Sequence, residues 1–153
     1  QSTLNYAEAK EFIEKYFTTH FGIKNYMDDV IKVARERGFT ETLFGRRRYL
    51  PDLNSSNFAV RGSAERMASN MPIQGTAADM MKLAIIKIEN ELSEISEKTK
   101  LLLTVHDELV LEVPDNDITK VGAFVKEKLE NIIKPDVPIK VEVNVSDNWG
   151  ETK

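Results

Sequence analysis

The sequence predicts an α+β fold: a small antiparallel β-sheet, made of a hairpin and one C-terminal strand, packed against helices and preceded by a helical segment. Three observations predict it. Apolar residues recur at helical spacing through residues 5–37 and 58–96. Two short apolar runs, 101–105 and 109–113, flank a polar interval of His106, Asp107 and Glu108. Near the C-terminus Ile139, Val141, Val143 and Val145 alternate with Lys140, Glu142 and Asn144. The first is the period of a helix and the other two are the marks of strands.

Each element has a local reason. Asn5 followed by Glu8 has the spacing of a capping box, and Ala9, Phe12, Ile13, Tyr16 and Phe17 make an apolar stripe, predicting a helix over 5–21 that stops at Gly22. Tyr26, Met27, Val30, Val33 and Ala34 predict a second helix over 25–37, with Gly38 as its C-terminal stop. Residues 39–57 carry Gly45, Pro51-Asp52 and an Asn/Ser cluster, the pattern of a short strand pair or extended loop. A long helical stretch follows over 58–96, interrupted at Pro72. Proline lacks an N–H, so it leaves the carbonyl of Ala68 without its helical donor and kinks or breaks the helix. Met81, Ala84, Ile85, Ile88, Leu92 and Ile95 then form a core-facing stripe. After the hairpin, Ile118, Val121, Val125, Leu129, Ile132 and Ile133 predict a helix ending before Pro135.

With 153 residues, the chain is one domain or pieces of two neighbours. It has no cysteine, which excludes a disulfide framework, a thiol nucleophile and a cysteine zinc site. No apolar run reaches the ~18 residues of a membrane span and no signal peptide opens the chain, so the expectation is a soluble cytoplasmic protein. The net charge of −4 conceals an uneven distribution. Residues 32–66 carry eight basic groups against four acidic, while 107–153 carry six basic against eleven acidic. Arg46, Arg47 and Arg48 stand together in the basic stretch, and arginine suits either phosphate recognition or a solvated turn.

Three groups of residues could carry chemistry. His106, Asp107 and Glu108 occupy a hairpin tip where Asn-Gly would be ordinary. Adjacent carboxylates repel unless a cation joins them, so the pair is either part of a Mg²⁺ ligand set or an exposed acidic turn. Arg66, Asn70 and Gln74 lie four residues apart, near one helical face. A row of donors there could touch the minor-groove acceptors that every base pair presents, or could be an ordinary polar face. Gly75, followed by Ala77 and Ala78, makes a smooth patch for close approach, with a neighbouring helix the expected occupant. No phosphate-binding glycine loop and no Ser/His/Asp arrangement is present.

Three motifs in order, Thr-Leu-Phe-Gly-Arg-Arg-Arg-Tyr-Leu-Pro-Asp at 42–52, Ala-Glu-Arg-Met-Ala-Ser-Asn-Met-Pro-Ile-Gln-Gly-Thr-Ala-Ala-Asp at 64–79 and Val-His-Asp-Glu-Leu-Val-Leu-Glu-Val-Pro at 105–114, with Asn148-Trp149 near the end, resemble the C-terminal part of the polymerase domain of family A DNA polymerases, the bacterial DNA polymerase I family. The resemblance covers essentially the whole chain. It implies that Asp107 is a ligand of the catalytic Mg²⁺, that Glu108 lies by the metals, and that His106 stands beside them near the primer end. It implies that Arg66, Asn70 and Gln74 contact primer–template DNA from the minor-groove side. Residues 1–60 would be the end of the fingers subdomain and 61–153 the C-terminal palm.

In the intact enzyme the substrates would be deoxynucleoside triphosphates, the chemistry two-metal nucleotidyl transfer in replication and repair, and the location the bacterial cytoplasm and nucleoid, with no membrane partner. The family's other metal-binding aspartate and its nucleotide-binding fingers helix would lie upstream of Gln1. The resemblance therefore implies a fragment that is inactive alone, supplies only part of the two-metal site, and pairs with the missing N-terminal part of the polymerase. Two alternatives stand beside this reading: a non-catalytic duplex-binding or split-polymerase module, and a metal-dependent nuclease built on Asp107 and Glu108.

Overall fold

The computed structural model describes residues 5–151. The chain divides into two compact units, 1–76 and 77–153.

The first unit opens with helix α1 (Tyr6–Thr19). Its capping box forms as predicted: the Glu8 N–H donates to Asn5 Oδ1 at 3.0 Å, and the Asn5 N–H donates to Glu8 Oε2 at 2.8 Å. The break comes at His20, not at Gly22. His20 leaves helical geometry while its N–H still reaches the Tyr16 carbonyl at 2.8 Å. Helix α2 (Phe21–Arg37) starts at once and runs through Gly22, since one glycine costs a helix only about 1 kcal/mol. Gly38 caps α2 in the left-handed conformation, φ 79°, with its N–H on the Ala34 carbonyl. The stripe on α1 stays uncovered: Phe12, Ile13 and Tyr16 are exposed.

Strands β1 (Phe39–Glu41) and β2 (Arg47–Tyr49) pair antiparallel, with Thr40 opposite Arg48. Gly45, at φ 81°, makes the turn between them possible. A short turn, Pro51–Asn54, buries Leu53. Helix α3 (Phe58–Asn70) is capped by Asn57, whose side chain accepts from the N–H groups of Ala59 and Val60. The core of this unit is Ala34, Leu50, Leu53, Ala64 and Ala68, with Ile31 against it.

At Pro72 the α-helical run is interrupted, as its sequence predicts, and α3 ends at Asn70. The run widens into a π-helical turn, Met71–Gly75, and resumes as α4 (Thr76–Ile95). A π turn closes its bonds one residue further on than an α-helix, and the Ala68 carbonyl that Pro72 leaves without a helical donor accepts from the Thr40 hydroxyl.

In the second unit Ala84, Ile88 and Leu92 of α4 are buried as their spacing predicts. Strands β3 (Lys100–Val105) and β4 (Glu108–Glu112) form an antiparallel hairpin, irregular around Leu102. Helix α5 (Ile118–Glu130) brings Val121, Phe124 and Val125 against Ile88 and Leu92, with Leu109, Leu111 and Val113 packed around them. The helix stops at Asn131, so Ile132 and Ile133 fall beyond it. The α+β class holds, but the predicted C-terminal strand does not form: residues 139–145 join neither two-stranded sheet. Alternation selects a face, whereas a strand also needs a backbone beside it to bond. Here the Val141 N–H donates to the Glu130 carboxylate at 2.9 Å, and Val143 lies against Gly122 of α5.

Candidate functional site

The hairpin tip is tighter than its sequence suggests. Val105 pairs with Glu108, leaving only His106 and Asp107 as the turn. Glu108 is therefore the first residue of β4. His106 adopts φ 54°, and among the described residues it is the one non-glycine with positive φ. A two-residue hairpin demands this, because primed turns match the twist of the flanking strands. The cost is of order 1 kcal/mol for a residue with a Cβ. His106, Asp107 and Glu108 are all exposed. Among the described residues neither carboxylate is tied up in an ion pair or side-chain hydrogen bond.

As a donor set the two carboxylates suit Mg²⁺, which takes one or two protein carboxylates and fills its remaining positions with water and phosphate oxygens. Two carboxylates would by themselves be only part of such a ligand set. Among the described residues no three His, Asp or Glu side chains converge as a metal site.

Arg66 and Asn70 lie on α3 and Gln74 in the π turn, all three exposed. Their neighbours Ala64, Ala68 and Met71 are buried, so the polar row runs along the side of the segment away from the core. Among the described residues Arg66 has no ion-pair partner.

The three consecutive arginines behave differently. Arg46 donates to the Gly75 carbonyl at 3.0 Å. Arg47 bonds Glu41 at 3.3 Å and lies over the Phe39 ring at 4.5 Å. Arg48 reaches the Met67 sulfur. Each is drawn to its own chain.

The close approach at Gly75 is also real, with a different occupant. A Cβ there would stand 2.6 Å from Met71 Sδ and 2.8 Å from Thr42 Cγ2. The neighbour is the β1–β2 loop, not another helix. Thr42 and Thr76 are buried there, and Thr40, also buried, donates to the Ala68 carbonyl; the sequence singled out none of the three. Their signal was faint: threonines flanking a glycine turn and a mid-helix glycine.

The DNA polymerase family A model matches residues 1–151. The chain belongs to DNA polymerase family A. It is 48% identical over 146 residues to DNA polymerase I of Lactococcus lactis subsp. cremoris, covering 95% of this chain and 17% of that one. The thermostable DNA polymerase I of Thermus filiformis is 49% identical over 150 residues, covering 98% and 18%. Among solved structures, the POL domain of Pol1 from M. smegmatis, in complex with DNA primer-template and dNTP, superposes with a TM-score of 0.93 at 41% identity, over 97% of this chain and 26% of that one. The family A chain described here thus spans under a fifth of the length of these curated relatives. No helix among its described residues is long and apolar enough to cross a membrane.

Proposed function

We propose that this chain is the C-terminal portion of a template-directed DNA polymerase, which adds deoxynucleotides to a primer 3′ end. The observation that carries the reading is the likeness, at TM-score 0.93 and 41% identity, to a polymerase domain solved with primer-template and dNTP. In this reading residues 1–60 close the fingers and 61–153 are the C-terminal palm.

Asp107 and Glu108 are the residues that would hold Mg²⁺, with further ligands from outside the described residues. When bound, the metal supplies activation of the primer hydroxyl and neutralises charge on the triphosphate. The hairpin's part is to hold two hard oxygen donors on a rigid two-stranded support. His106, beside them, would lie near the primer end. Arg66 would take a phosphate or base acceptor, while the Asn70 and Gln74 amides would donate to minor-groove acceptors regardless of sequence, as a polymerase requires.

The test is a chimera in which this segment replaces its counterpart in the Lactococcus lactis enzyme. Primer extension is retained, and Asp107→Asn lowers it by more than about 100-fold. Extension unaffected by that substitution overturns the metal role. The isolated chain yields no extension, and magnesium-dependent extension by the pure chain would refute the need for outside ligands. The second reading, a duplex-binding module without catalysis, is favoured by the exposed row of Arg66, Asn70 and Gln74. Duplex affinity of the free chain that falls steeply with salt supports it, and no binding at low salt ends it.

A further inference from the structure

In an unbroken α-helix each four-residue step overshoots a full turn by about 40°, so Gln74 would sit about 80° round from Arg66. The π turn at Met71–Gly75 closes its bonds one residue later, so the step from Asn70 to Gln74 no longer overshoots. Gln74 swings back toward the line of Arg66 and Asn70. The wide turn is therefore what keeps the row straight.

Something must hold a turn that an α-helix would otherwise regularise. Pro72 removes one N–H and Gly75 removes one Cβ, but the bracing comes from the β1–β2 loop. The Thr76 hydroxyl accepts from the Leu43 N–H at 3.0 Å and donates to the Pro72 carbonyl. Arg46 donates to the Gly75 carbonyl at 3.0 Å. The Thr42 hydroxyl accepts from the N–H groups of Phe44 and Arg46, fixing the loop, while its methyl fills the space a Gly75 side chain would need. We propose that Thr76, clasped by loop 42–46, is a positioning residue that sets the π turn and thereby aims Gln74 at the minor groove. This rests on the reading that Gln74 contacts duplex DNA.

The test uses the full chain in two arms. Amide exchange reports the turn: Thr76→Val speeds exchange at Gly75 and Thr76 by at least about 10-fold, and Thr76→Ser does not. Duplex binding at low salt reports the aim, with 3-deazapurines removing minor-groove acceptors. That replacement weakens binding of the parent chain by about 5-fold, the worth of one hydrogen bond. It has no effect on Gln74→Ala, Thr76→Val or Pro72→Ala, and keeps its effect on Thr76→Ser. Pro72→Ala restores a helical donor and covers the case in which Thr76→Val fails to fold. A Thr76→Val or Pro72→Ala chain that retains the 5-fold dependence overturns the proposal, as does unchanged exchange in Thr76→Val. A parent chain indifferent to the acceptors strikes instead at the contact assigned to Gln74, and the positioning role falls with it even where exchange responds.

Discussion

The Thr40 hydroxyl donates to the carbonyl of Ala68 at 3.4 Å, and Ala68 is the residue whose helical donor Pro72 removes. Both are buried, so the carbonyl has no access to water. A strand threonine thus stands in for the missing backbone N–H, and β1 is tied to the helix at the point of interruption. Thr40→Val should cost about 1 kcal/mol, the low end for a buried hydrogen bond because this one is long. In a Pro72→Ala background the same change should cost less, since the carbonyl regains a backbone donor. Urea midpoints of the four chains form a double-mutant cycle that checks it.

Gly75→Ala should destabilise the chain by about 1–3 kcal/mol despite alanine's better helix propensity. The new methyl would meet Thr42 Cγ2 at 2.8 Å, and Thr42 is buried. Adding Thr42→Ser removes that methyl, keeps the hydroxyl and should recover part of the loss. Thermal unfolding of the single and double variants decides it.

His106→Val should cost about 1–2 kcal/mol, because a β-branched residue tolerates positive φ poorly. His106→Gly should stay within about 0.5 kcal/mol of the parent chain, relief of strain offsetting the extra freedom of the unfolded state. Equal losses in the two variants would mean that a side-chain contact, and not φ 54°, sets the turn.

Asp117 should make the second unit acid-sensitive. Its carboxyl is held below its ordinary value of 3.8, first by the hydrogen bond from Lys120 and then by that from Ser96, with partial burial opposing them. The contacts measure 2.8 Å and 2.5 Å, and Thr99 in turn donates to Ser96 at 2.8 Å. The folded value lies below the unfolded one, so the stabilisation is fully present above about pH 4 and is lost as pH falls through the folded value. Unfolding midpoints of the parent chain and Asp117→Asn should therefore differ at neutral pH and converge in acid. A gap that is constant from pH 7 to pH 2 contradicts it.

Asp107→Asn should leave the unfolding midpoint within about 0.5 kcal/mol of the parent chain, because the side chain is exposed and no internal partner is lost. Loss of extension in the chimera then reports lost charge and not lost fold. Matching denaturation curves beside the activity assay check this directly.

Much of the chain is written locally. The capping box of Asn5 and Glu8, the stop at Gly38, the stripe of Ala84, Ile88 and Leu92 and the β3–β4 hairpin are each announced by residue types a few positions apart, so spacing alone reveals them. The family was legible for the same reason: its three motifs are contiguous runs of residue types. What spacing cannot convey is what lies beside a segment. The alternating run 139–145 promised a strand, and the α5 side chains took its place as partner. Pro72 promised an interruption, but only the folded structure shows that it takes the form of a π turn and that Thr40 donates to the freed carbonyl. Gly75 promised close approach, but only packing identified Thr42 as the occupant. Residue types fix which groups lack a donor, a methyl or a bond. Which distant group supplies it depends on burial and on chain closure across tens of residues, and those exist only in the folded state.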